Sequence, residues 1–87
     1  MDEDLIKNAD MQKIGDEGQK IYEEIKLKYE PAQNGKFLAI EVESKDVYLA
    51  DSTVEAVAAA KKEHPDKVFY VVKTGFDYVE TMANYFL

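Results

Sequence analysis

The chain has no cysteine, no arginine and no tryptophan, and only one histidine, two prolines and four glycines among its 87 residues. Without cysteine there is neither a disulfide nor a thiolate-bound zinc to staple the fold, so burial of apolar side chains must stabilise it. A hydrophobic fraction of 46% is ordinary for a chain that folds in this way. The length suits one domain, because a half of it would not bury a self-sufficient core. Lack of arginine removes the bidentate phosphate clamp and the commonest reader of guanine. Eighteen acidic residues against eleven lysines leave a net charge of -7, which repels a phosphate backbone. No nucleic-acid partner is therefore expected. Nor is a membrane partner, since a spanning helix needs about 20 apolar residues in a row and the longest uncharged stretch is far shorter. The opening Met1-Asp2-Glu3-Asp4 is opposite in sign to a signal or transit peptide, which makes a cytoplasmic location the expectation.

Hydrophobic periodicity divides what is present into short elements. Residues 1–15 read as a weakly ordered segment, or as a short helix that needs a partner, because Gly15 and Gly18 each cost a helix about 1 kcal/mol against alanine. Asp16 and Gln19 form an Asp-x-x-Gln capping box, and Ile21, Tyr22, Ile25 and Tyr29 recur at helical spacing up to Pro31, which predicts a helix over 17–30. Asn34-Gly35 marks a turn. Residues 37–43 alternate, with Leu38, Ile40 and Val42 on one face and Ala39, Glu41 and Glu43 on the other, as in a strand covered on one side. A second strand follows at 46–50. A two-residue Ser44-Lys45 link would set Val42 opposite Val47 and Ile40 opposite Leu49. A longer loop with Lys45 at positive φ would instead set Tyr48 beside Ile40.

Ser52 and Glu55 make another capping box, opening an alanine-rich helix with Val54, Val57, Ala58 and Lys61 on one stripe; it ends at His64-Pro65-Asp66. Residues 67–73 are β-branched or aromatic at almost every position and suit a strand covered on both faces. In the tail, Val79, Met82, Ala83 and Phe86 fall at i, i+3, i+4, i+7 and predict a short helix, with a fourth strand as the alternative. The expected fold is α+β, a two-layer sandwich of order α-β-β-α-β(-α). Its sheet has three antiparallel strands with 37–43 in the centre and the helices on one face. Residues 16–76 would form the domain, and 77–87 an apolar, helical tail.

Chemistry-bearing residues are sparse. His64 stands at a helix C-terminus, where a cation favours the helix dipole, and no serine in a strained elbow accompanies it. Asp51-Ser52-Thr53 resembles the Asp-Thr/Ser-Gly loop of aspartic proteases but has Thr53 where that loop needs glycine, and a helix cap already accounts for it. The acidic groups Asp2-Glu3-Asp4 and Glu41/Glu43 lack calcium-loop spacing, and the dispersed glycines make no phosphate loop. No catalytic residue, metal or cofactor is expected. Six tyrosines and four phenylalanines are many for so small a core. Phe37, Tyr48 and Phe69 on the sheet's open face, with Tyr78, Val79, Met82, Tyr85 and Phe86 in the tail, are the candidate interface residues.

The segments Gly35-Lys36-Phe37-Leu38-Ala39-Ile40-Glu41, Asp46-Val47-Tyr48-Leu49-Ala50-Asp51-Ser52, Glu55-Ala56, His64-Pro65-Asp66-Lys67-Val68-Phe69-Tyr70 and Gly75-Phe76 together resemble a small prokaryotic family of ββαβ proteins with no settled activity. The resemblance spans roughly residues 17–76 and departs from the family's pattern at Lys45 and Ala50, where glycine is common. More distantly, the hairpin and capped helix are similar in topology to HicB-like antitoxins, which pair such a domain with a small basic toxin. The resulting expectation is a non-enzymatic protein–protein interaction module that binds a protein partner or forms a homodimer. The alternatives are an antitoxin-like partner of a basic toxin, or a carboxylate-based enzyme subunit with its site at a dimer interface.

Overall fold

The computed structural model describes residues 10–76 and 79–83, with the backbone alone at 79–82. Helix α1 spans Met11–Tyr29, strand β1 Phe37–Glu41, strand β2 Asp46–Ala50, helix α2 Thr53–Glu63, strand β3 Phe69–Lys73 and strand β4 Val79–Ala83. The class is α+β, and the sheet order is β2-β1-β3-β4 with every neighbouring pair antiparallel. As expected, β1 lies between β2 and β3.

The helices do not share a face of this sheet, contrary to the two-layer expectation. Ile21 and Tyr22 of α1 pack with Leu38, Ile40, Tyr70 and Val72. Ala56, Val57 and Ala60 of α2 pack with Ala39, Phe69, Val71 and Ala83. These sets alternate along β1 and β3, and successive strand residues point to opposite faces, so the sheet is enclosed between α1 and α2. The run Phe69-Tyr70-Val71-Val72 is buried on both faces. Ala39, read as facing water, instead makes room for α2, whose small Ala56 and Ala60 let its backbone approach. On α2 itself Val54 is exposed, and the buried stripe is Ala56, Val57 and Ala60.

Helix α1 begins six residues before the expected start. Asp10 is its N-cap, accepting a hydrogen bond from the Lys13 N–H at 3.0 Å. Residues 11–15 are thus helical rather than weakly ordered, while the remainder of that expectation, at 1–9, lies outside the described residues. Gly18 is buried, and a Cβ there would stand 2.2–2.6 Å from Cβ, Cγ and Cδ1 of Tyr70. The glycine that reads as a helix breaker is the point where α1 rests on β3.

The tail is the other correction. Residues 79–83 form a strand, not a helix, and pair with β3 as Phe69↔Ala83, Tyr70↔Met82, Val71↔Thr81 and Val72↔Val79. The register shifts between Val71 and Val72, leaving Glu80 as an extra residue. That bulge sets Val79 and Met82, three apart, opposite Val72 and Tyr70, which share the α1 face. An i, i+3 spacing therefore reads as helical while serving a bulged strand.

The two expected hairpin registers are both replaced. Ile40 pairs with Val47 and Glu41 with Asp46, which leaves a four-residue loop, 42–45, with Lys45 at φ 65°. At the opposite end of the sheet, buried Thr74 fastens the α1–β1 connection. Its hydroxyl donates to the Gln33 carbonyl and accepts from the Lys36 N–H at 3.2 Å, and its backbone N–H donates to the Lys36 carbonyl at 2.9 Å. Tyr22 donates its hydroxyl hydrogen to Glu30, and Gly75 N–H donates to the Tyr22 hydroxyl at 3.1 Å.

Two substitutions test this packing. Ile40, fully buried in the central strand, should lose about 2–5 kcal/mol of stability as Ile40→Ala in denaturant melts. Gly18→Ala would gain about 1 kcal/mol in helix propensity but must displace Tyr70 at about 1–3 kcal/mol. A net loss is expected, and a more stable Gly18→Ala protein would contradict the close contact.

Candidate functional site

Among the described residues, a group of ionisable side chains lies where the β1–β2 hairpin meets the C-terminus of α2. Register sets Glu41 directly opposite Asp46, a like-charged pair that is unfavourable by itself. His64, the C-cap of α2, stands against both. Its Nε2 is 2.9 Å from Asp46 Oδ2 and its Nδ1 is 3.9 Å from Glu41 Oε1. The ring meets Tyr48 edge-on, with centroids 6.3 Å apart. Lys67 Nζ pairs with Glu43 Oε1 at 2.7 Å on the same corner.

Glu41 is buried, with 2% of its surface exposed. Burial by itself would raise its pKa, but the backbone N–H groups of Glu43 and Ser44 donate to its carboxylate at 3.1 and 2.9 Å. Together with the Ser44 side chain and the nearby His64, they hold the carboxyl below its ordinary value. The Tyr48 phenol is held above its ordinary value by burial and then by the charges of Asp46, Glu63 and Glu41. These groups close the hairpin turn and tie it to α2. Two surface grooves are lined by α1 residues, one by Asp10, Gln12, Lys13, Asp16 and Glu17, the other by Asp16, Gln19, Lys20, Glu23 and Glu24. Among the described residues no cluster of histidine and carboxylates is suited to holding a metal ion, and no helix is long and apolar enough to cross a membrane.

The candidate interface residues are distributed differently from the expectation. Phe37, Tyr48 and Phe69 do share one face, but α2 covers it. Phe69 is wholly buried in that core and so is not available to a partner, while Phe37 and Tyr48 are half-buried at its margin. Lys73 Nζ lies 5.8 Å from the Phe37 ring and 4.7 Å from the exposed Phe76 ring. Val79 and Met82 belong to β4, while Tyr78, Tyr85 and Phe86 lie outside the described residues.

An apolar surface that the sequence did not single out lies on the other face, at the β2 margin. Leu49 stands opposite Leu38 and Val47 opposite Ile40, which places both on the α1 side. Helix α1, however, lies across β1, β3 and β4. Leu49 is consequently 39% exposed, and among the described residues no strand pairs with the outer edge of β2. Alternation alone marks Leu49 as apolar, but only the lateral position of α1 decides whether it is covered. Comparison with family models, curated proteins and solved structures gives no match.

The Glu41 carboxylate has a measurable signature. Because its pKa is lower folded than unfolded, its contribution to stability is present above the ordinary glutamate range and is lost as pH falls through the folded value. Glu41→Gln should cost about 1–3 kcal/mol at neutral pH, since an amide cannot accept both turn hydrogen bonds with charge. The gap between variant and wild type should narrow in acid. A gap that stays constant in denaturant melts across this range would show that the charge is not what holds the turn.

Proposed function

We propose that this chain is a non-enzymatic protein–protein interaction module whose docking surface is the outer edge of β2. The observation that carries this reading is the exposed Leu49 beside an edge strand with no pairing partner among the described residues. Edge strands present a row of backbone donors and acceptors, and addition of another strand supplies affinity through main-chain bonds and selectivity through alternate side chains. The ionisable cluster around Glu41 and His64 favours the same reading over catalysis, because its hydrogen bonds serve the turn and the helix end. A basic protein partner, as in the antitoxin resemblance, is the second reading, and the net charge of -7 favours it.

Leu49→Lys tests the surface, with Leu27→Lys as control, since Leu27 is 84% exposed on α1. Purified from the cells that express it, the tagged wild type and Leu27→Lys should hold a stoichiometric partner chain, either a further copy or another protein. Leu49→Lys should lose that partner while melting within a few degrees of wild type. Equal retention by all three would move the docking surface away from β2.

A further inference from the structure

We propose that a second copy of this chain docks on the outer edge of β2, the two β2 strands running antiparallel about a two-fold axis at Tyr48. The proposal rests on the β2-edge reading and names its occupant. A two-fold axis through one residue of an antiparallel pair sets each residue before it opposite the one equally far after it in the other copy. With the axis at Tyr48, Val47 lies opposite Leu49 of the second copy and Asp46 opposite Ala50, which brings Lys45, just before the strand, to the end where Asp51 of the second copy follows it.

Each pairing suits the chemistry of β2. Val47 and Leu49 lie on the same face, so the exposed part of Leu49 is withdrawn from water against an apolar neighbour, twice over by symmetry. Lys45 is exposed just before the strand, and Asp51, just after it, has 76% of its side chain exposed even while paired with Lys36 at 3.0 Å. Opposite charges therefore meet at both ends of the joined strands. Asp46 avoids its own copy and keeps His64. The neighbouring registers lack this match. An axis at Val47 sets Lys45 opposite Leu49, and one at Leu49 sets Val47 opposite Asp51. Those registers pair Val47 or Leu49 with itself on the axis but leave the other against a charge, whereas the Tyr48 register gives both an apolar partner and brings cation to anion. The two four-stranded sheets then continue as one.

The net charge of -7 on each copy opposes this association over long range, and salt screens that repulsion. A dimer should thus tighten from low to moderate ionic strength, whereas a complex with a basic partner would loosen.

Sedimentation equilibrium of the full chain, from micromolar to near-millimolar concentration, reads the outcome. The wild type should approach twice its 9.9 kDa mass. Leu49→Lys and Lys45→Glu should each raise the dissociation constant about tenfold or more. The double variant Lys45→Glu/Asp51→Lys should return it to within about threefold of wild type, since the opposed charges are exchanged. Circular dichroism and melting temperature report whether each variant is folded, and both charge positions are exposed. A wild type that stays monomeric throughout overturns the second copy as occupant, and the β2-edge reading then stands or falls with the Leu49-dependent partner above. A dimer indifferent to Leu49→Lys overturns the surface, and a charge exchange that fails to restore association overturns the register.

Discussion

Strand β1 has a strand on both edges and a helix on both faces, so each of its side chains is committed to one set of contacts. Leu38 and Ile40 go to α1, while Phe37, Ala39 and Glu41 go to the α2 side. A slip of one residue would exchange these sets and drive Ala39 into the space of Leu38 or Ile40. The sizes agree with the helices that meet them. Ala39 is small where the alanines of α2 approach, and the larger Leu38 and Ile40 fill the side where α1 touches the sheet through Gly18 on Tyr70. Packing at this density leaves few ways to arrange the remaining elements.

Polar groups pin β1 at both ends and so guard its register. At one end Glu41 carries a charge into a covered layer, an expensive placement unless donors are already in position. The loop of residues 42–45 supplies them: the Glu43 and Ser44 N–H groups donate to the carboxylate, the Lys45 N–H donates to the Glu41 carbonyl at 2.8 Å, and Lys45 at φ 65° turns the chain into β2. His64 then reaches Asp46 through Nε2 at 2.9 Å, with Nδ1 3.9 Å from Glu41, and joins the hairpin to α2. At the other end Thr74 joins the α1–β1 connection to the end of β3. Both devices link segments distant in sequence, so neither end of β1 is free to fray.

Much of this was legible in the residues. Ser52 caps α2 as its spacing to Glu55 implied, and the order of the elements put β1 between two antiparallel neighbours. What escaped depends on contacts between distant segments. Gly18 lowers helix propensity, yet α1 runs through it because Tyr70, on another element, leaves no room for a Cβ. A bulge at Glu80 disguises a strand as a helix by spacing Val79 and Met82 three apart. Glu41 looks like a solvent-facing charge because alternation cannot reveal that the second face is covered too. The candidate site was the least legible part. Of the aromatics selected for it, Phe37, Tyr48 and Phe69 lie on the side that α2 occupies, and Leu49 looks like an ordinary strand residue until the position of α1 is known.

The two helices are offset across the sheet, α1 over β1, β3 and β4, and α2 over β1, β2 and β3. That offset gives the faces of β2 different characters. On the α2 side its side chains are occupied, Asp46 by His64 and Tyr48 by the core beside it. On the α1 side Val47 and Leu49 lie at the sheet's margin without a charged residue between them. Natural edge strands commonly place a lysine or an inward charge in such a position, because it keeps other strands away. The residues that flank the strand, Lys45 and Asp51, are exposed and carry opposite signs. Such flanks repel neither a cationic nor an anionic strand end, but they favour one that presents the same two charges in reverse order. An antiparallel copy of β2 is a strand of that kind, so the arrangement that leaves the edge unguarded also gives it a preference among the strands it would accept.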